Sequence, residues 1–133
     1  DWQQYKNLII NYMCYKKIAL TALSIAVLDG IFIGNFLGSP FGKMVKNIQK
    51  SEMKINLPAT FFAYIVLIFQ VYYFVIKQKL SLIDSFLLGS TTYAIFDLTN
   101  HAIFKNYNTK IAIIDMIWGG TLYTLTNYIV NKL

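Results

Sequence analysis

The chain is 133 residues long, one domain by length, with 56% hydrophobic and 14% charged residues. Its mean hydropathy of +0.49 is that of a membrane protein and excludes a disordered chain. All twelve basic residues are lysine and the net charge is +6, which lysines beside lipid headgroups explain without a nucleic-acid partner; the single Cys14 excludes an internal disulfide.

Residues 1–16 place Trp2, Tyr5, Ile9, Tyr12 and Met13 at spacings of three and four, between Gln3, Gln4, Lys6, Asn7 and Asn11. This amphipathic pattern predicts an N-terminal helix lying in the headgroup region, with Lys16 and Lys17 at its end. The rest, residues 17–133, reads as one transmembrane domain. Its first span covers residues 18–37, about twenty residues and therefore about the roughly 30 Å of a hydrocarbon core. Within it Ala22, Ala26, Gly30, Gly34 and Gly38 recur every four residues. Such a ridge of small side chains predicts close approach of another helix.

Ser39-Pro40 is a helix-start signal, and residues 40–54 carry Phe41, Met44, Val45 and Ile48 on one side. Lys43, Lys46, Lys50 and Lys54 lie on the other, which predicts a basic amphipathic segment along the surface in contact with lipid headgroups. Pro58 opens a second span, residues 58–76, rich in aromatic residues, with Gln70 its one strongly polar residue. Ser81-Leu-Ile-Asp84 reads as a capping box opening the third span, residues 82–104. A polar turn leads to the fourth, residues 110–129. The fold class is thus all-α: a polytopic, multi-pass membrane protein with four transmembrane helices plus amphipathic interfacial helices. By these spans six lysines fall on each side, so the positive-inside rule leaves orientation open.

Depth then singles out a set of residues. At 1.5 Å per residue, Asp29, Asp97 and Asp115 lie at one level, roughly 8 to 12 Å below the surface where the first span exits. Tyr64 reaches that level from the second span. Tyr93 precedes Asp97 by one turn, Asn100 and His101 follow it, and Trp118 follows Asp115, predicting a polar intramembrane layer. Three carboxylates cannot all stay ionised in close company, so the layer calls for protons, a protonated His101, a lysine or a bound cation. One histidine among hard carboxylates lacks the spacing of a metal site, and no serine or cysteine stands in a nucleophile motif. No metal, no cofactor and no enzyme activity are expected.

The stretches Leu28-Asp29-Gly30-Ile31-Phe32-Ile33-Gly34, Tyr93-Ala94-Ile95-Phe96-Asp97-Leu98-Thr99-Asn100 and Ile114-Asp115-Met116-Ile117-Trp118-Gly119 resemble the membrane proteins grouped as domain of unknown function 2177. The resemblance covers about residues 18–130 and implies a four-span membrane protein, without implying an activity.

Two functions follow from these features. The first is a non-catalytic accessory or structural subunit of a larger membrane assembly, in a respiratory-type complex such as that of the mitochondrial inner membrane, or in an organellar or viral membrane. Its partners would be the lipid bilayer and other membrane subunits or a second copy. The alternative is a small oligomeric proton or cation carrier or channel using the Asp29, Asp97 and Asp115 layer.

Overall fold

The computed structural model describes residues 1–133 and is all α, with no strand. Helix α1 runs Trp2–Phe32, its first turn capped by Asp1, whose carboxylate accepts the Gln3 amide at 3.1 Å. No glycine or proline separates the amphipathic start from the first span, so the two form a single helix of 31 residues, about 46 Å long and longer than a hydrocarbon core is thick. Residues 2–13 are exposed on every side. The first tie to the rest of the molecule is Cys14, whose sulfur lies 2.8 Å from the Tyr72 hydroxyl.

The chain does not leave helical geometry at Ser39-Pro40. Instead α1 widens into a π-helical turn, Ile33–Leu37, and continues as α2, Gly38–Gln49. Pro40 has no amide hydrogen and its ring displaces the carbonyl four residues back, so the preceding turn takes up an extra residue. The Gly38 amide bonds to the Ile33 carbonyl, five residues away. A Cβ at Gly38 would collide with that carbonyl, which accounts for glycine there. Ser39, expected as an N-cap, caps nothing because no free helix end exists beside it; the residue before α2 is Leu37, without a side-chain cap. Helix α2 ends at Lys50, in the left-handed region at φ 60°, so Lys54 lies beyond the helix that carries Lys43 and Lys46. These lysines are exposed, and Lys46 pairs with Glu52; exposed pairs of this kind contribute at most about 1 kcal/mol. The apolar face of α2 packs Met44 against Tyr107, Ile111 and Ala112.

Helix α3, Leu57–Gln70, starts at the Asn56 cap with Pro58 in its first turn and passes into a second π-helical segment, Val71–Ile76. The chain reverses through Lys79 at φ 53°. Ser81 then caps α4, Leu82–Ile103, its hydroxyl accepting the Asp84 amide at 3.0 Å. Asn108 caps α5, Thr109–Lys132, which folds back antiparallel along α4.

That α4–α5 hairpin is where glycines permit close approach. A Cβ on Gly89 would strike the Gly119 carbonyl and the Tyr123 ring, and one on Gly120 would strike Phe86 and Ser90. The ridge expected on α1 behaves otherwise. Gly30 and Gly34 have nothing within 4 Å of a built Cβ, and Ala26 is exposed. No helix of this chain packs on them, because α1 turns the opposite face, Thr21, Ser24, Ile25 and Asp29, toward the interior. Ala22 and Gly38, at the ends of the ridge, are half-buried.

The main core joins Ile25 of α1, Val71, Val75 and Ile76 of the second π segment, and Leu122, Tyr123 and Val130 of α5. Only 23 of 133 residues are buried, although more than half are hydrophobic. Large apolar side chains such as Val27, Phe62, Phe69, Ile95 and Ile117 point outward instead. An apolar exterior of this extent suits lipid and not water. Two helical runs, Trp2–Gln49 and Leu57–Ile76, are long and apolar enough to cross a membrane.

Candidate functional site

Three aspartates from three helices lie buried: Asp29 of α1 at 6% exposure, Asp97 of α4 at 0% and Asp115 of α5 at 9%. Each sits on the interior stripe of its helix. Their partners differ, and the differences decide what the layer can do.

Asp29 is fully engaged. The Tyr64 hydroxyl donates to its Oδ2, and the Trp118 indole donates Nε1–H to its Oδ1 at 2.9 Å. One turn on, Phe32 stacks on the same indole with centroids 4.1 Å apart and planes within 10°. Residues three apart on a helix share a face, so Asp29 and Phe32 together hold the edge and the plane of Trp118. This ties α1 to α5.

Asp97 accepts from the Tyr107 hydroxyl through Oδ1 at 2.8 Å, while its Oδ2 is buried without a donor. Burial, followed by the bond to Asp97, pushes the Tyr107 phenol above its ordinary range, so it is held as a neutral donor. Asp97 and Asp115 stand on the two helices of the α4–α5 hairpin, both buried. No N–H or O–H of the protein donates to Asp115.

Asp29 and Asp115 face a cavity of about 280 Å³, with Tyr93 beside them and mostly apolar walls. The π-helical turn contributes Ile33 and Leu37, and α4 contributes Phe96. Pro40 thus has a consequence beyond a bend: the widened turn it imposes forms one wall. Tyr93 is half-buried, with its ring against Gly119 and edge-on to Tyr123 at 6.5 Å.

His101 does not join the layer. It is exposed beyond the last packed turn of α4, with Nε2 3.0 Å from the Thr109 hydroxyl. The step of four positions from Asp97 to His101 carries the imidazole about 6 Å along the helix axis and out of the bundle. Asn100 is half-buried and makes no side-chain hydrogen bond to a carboxylate. No group of three His, Cys, Asp or Glu side chains is arranged to hold a metal ion.

Tyr107 is the residue that sequence reasoning missed. It stands in a polar turn with no periodic pattern to mark it, and only the return of α5 along α4 brings it to Asp97. A second polar cluster was also hidden. Gln70 donates to Thr92 at 3.2 Å and accepts from the Tyr123 hydroxyl, and Asn127 donates to the Leu80 carbonyl at 2.9 Å and to Ser85 at 2.8 Å. These bonds satisfy polar groups of the core and of the reversal before α4, as an apolar surround requires.

A family model described as a predicted membrane protein, DUF2177, matches residues 14–130. The chain belongs to the DUF2177 family. No curated protein and no solved structure matches it. In this DUF2177 protein the matched segment begins at Cys14, where α1 first meets the bundle, and ends at Val130, the last buried residue. It includes all of the aspartate layer and leaves out the exposed start of α1.

Proposed function

We propose that this DUF2177 protein is a four-span integral membrane protein acting as a small, non-catalytic carrier of protons or cations, with Asp29, Asp97 and Asp115 as its working groups. Four spans are supported by the 22 and 24 residues of α4 and α5, each long enough to cross a bilayer. Their outward side chains, among them Leu87, Ile95, Ile113 and Ile117, are those of a lipid-facing surface.

The observation that carries the reading is the meeting of three buried carboxyls beside a cavity with no basic side chain among them. The single ion pair, Lys46–Glu52, lies outside the layer. Buried acids in a membrane are costly unless protonated or paired, and whereas Asp29 and Asp97 accept from Tyr64, Trp118 and Tyr107, no group of the chain donates to Asp115. Asp115, which lines the cavity and receives no donor from the protein, suits a group that gains and loses a cation.

The test is reconstitution in liposomes with an entrapped pH indicator. Wild type is expected to dissipate an imposed gradient faster than empty vesicles, and Asp97→Asn and Asp115→Asn to lose that increment while keeping the wild-type helical content. A wild type no faster than empty vesicles refutes the carrier.

A second reading, an accessory subunit of a larger membrane assembly, rests on a separate observation. The small-residue ridge from Ala26 to Gly34 faces outward with open space above it, as a face used by another subunit or a second copy would. Purification in mild detergent with a stoichiometric set of other membrane proteins would favour it.

A further inference from the structure

The cavity beside the aspartate layer has a chemistry more specific than that of a bare ion site. Its acidic tips are the Asp29 and Asp115 carboxyls, and its walls are apolar and aromatic, with Phe32, Phe41 and Phe96 among them. Asp29 already accepts from Tyr64 and Trp118, whereas Asp115 is nine-tenths buried, lines the cavity and receives no donor from the protein. The titratable groups around Asp115 are Asp97 and Tyr93 from α4 and Asp29 from α1, with Tyr64 and Tyr107 one step further out. None of them is basic.

An anion is repelled by these walls. An inorganic cation takes oxygen ligands on several sides, and the phenylalanine side supplies none. An ammonium group on an apolar body matches both halves: its N–H donors and charge meet carboxylate oxygens, and its body meets aromatic faces that also favour a cation. At about 280 Å³ the cavity lies near the lower edge of the roughly 300–1,000 Å³ usual for small-molecule sites, so the body is compact. Its rim includes the exposed side chains of Met53, Ile55 and Phe96.

We infer that this cavity binds an organic ammonium ion with a compact apolar body, its charge held by Asp115 and Asp29 and its body by Phe32, Phe41 and Phe96. The inference rests on the carrier reading of the same site and names what is carried. The ammonium is either a free amine or the headgroup of an aminophospholipid whose chains stay in the bilayer.

The experiment is calorimetric titration of the full chain, in nanodiscs of phosphatidylglycerol, with 2-phenylethylamine and with its neutral counterpart 2-phenylethanol. The amine is expected to bind and the alcohol not to compete. Asp115→Asn and Asp29→Asn should each weaken amine binding by about tenfold or more. Asp84→Asn, on an exposed cap far from the cavity, should leave it unchanged. Phe96→Ala keeps the proposal falsifiable should an aspartate variant fail to fold: loss of amine affinity supports it. Equal binding of amine and alcohol, or amine binding indifferent to Asp115→Asn and Phe96→Ala in folded protein, overturns it.

Repeating the titration with phosphatidylethanolamine in the nanodiscs separates the sources: suppressed amine binding identifies the lipid headgroup, and unchanged binding identifies a free amine. The same variants in liposomes separate the inference from the reading beneath it. Asp115-dependent proton flux without amine binding sinks the inference and leaves the carrier, whereas Asp115-dependent binding without flux of proton or amine sinks the carrier and leaves the site.

Discussion

Adding one methyl group at each of two glycines separates close packing from mere small-residue spacing. At Gly89 a Cβ would enter the space of the Gly119 backbone carbonyl and the Tyr123 ring. The carbonyl belongs to a helix and cannot rotate away, so α4 and α5 must move apart. Overfilling a packed contact typically costs about 1–3 kcal/mol, and the hydrogen bond from Tyr123 to Gln70 is strained by the same movement. At Gly30 a Cβ meets nothing within 4 Å, and replacing a helix-interior glycine by alanine favours the helix by up to about 1 kcal/mol. Gly89→Ala is therefore expected to lower thermal stability in detergent, and Gly30→Ala to leave it unchanged or raise it. Circular dichroism melts of the purified variants measure both. A Gly89→Ala protein as stable as wild type, or a Gly30→Ala protein losing more than about 1 kcal/mol in monomeric form, refutes the assignment of the packing face to the α4–α5 hairpin.

Three further outcomes are expected. Trp118→Phe keeps the stack on Phe32 but removes a donor to buried Asp29; leaving a buried acceptor unsatisfied should destabilise by about 1–3 kcal/mol, and a melt indistinguishable from wild type would contradict the bond. Because the Tyr107 phenol is held neutral in the folded protein, its stabilising contribution is complete below the ordinary tyrosine pKa of about 10 and is lost as pH rises above it. Stability of wild type should consequently fall more steeply above that pH than stability of Tyr107→Phe, and parallel curves would exclude the effect. In a Cys14→Ser background, cysteines placed at Lys54 and Lys105 should label from one side of the membrane and those at Gln78 and Lys132 from the other; labelling of Lys105→Cys and Lys132→Cys from the same side would rule out four spans.

Much of the local structure was legible in the residues. Ser81 caps the turn that ends in Asp84, and Pro58 stands in the first turn of α3, because caps and proline act through the backbone within a few residues. Ser39-Pro40 reads as a helix start, yet Pro40 widens a continuing helix, since the same missing amide hydrogen satisfies either arrangement and tertiary contacts of α2 choose between them.

By itself the sequence determined the all-α class and the apolar character of the helices, because composition and helical periodicity depend on nothing outside the helix. Which way a face points is another matter. A helix stripe has a direction only relative to its neighbours, so only the tertiary structure turned Gly30 and Gly34 outward and set Gly89, Gly119 and Gly120 at the helix crossing. It likewise left His101 in the open, brought Tyr107 to Asp97 across ten residues, and opened the cavity beside Asp115. Those relations join residues distant along the chain, and no local pattern encodes them.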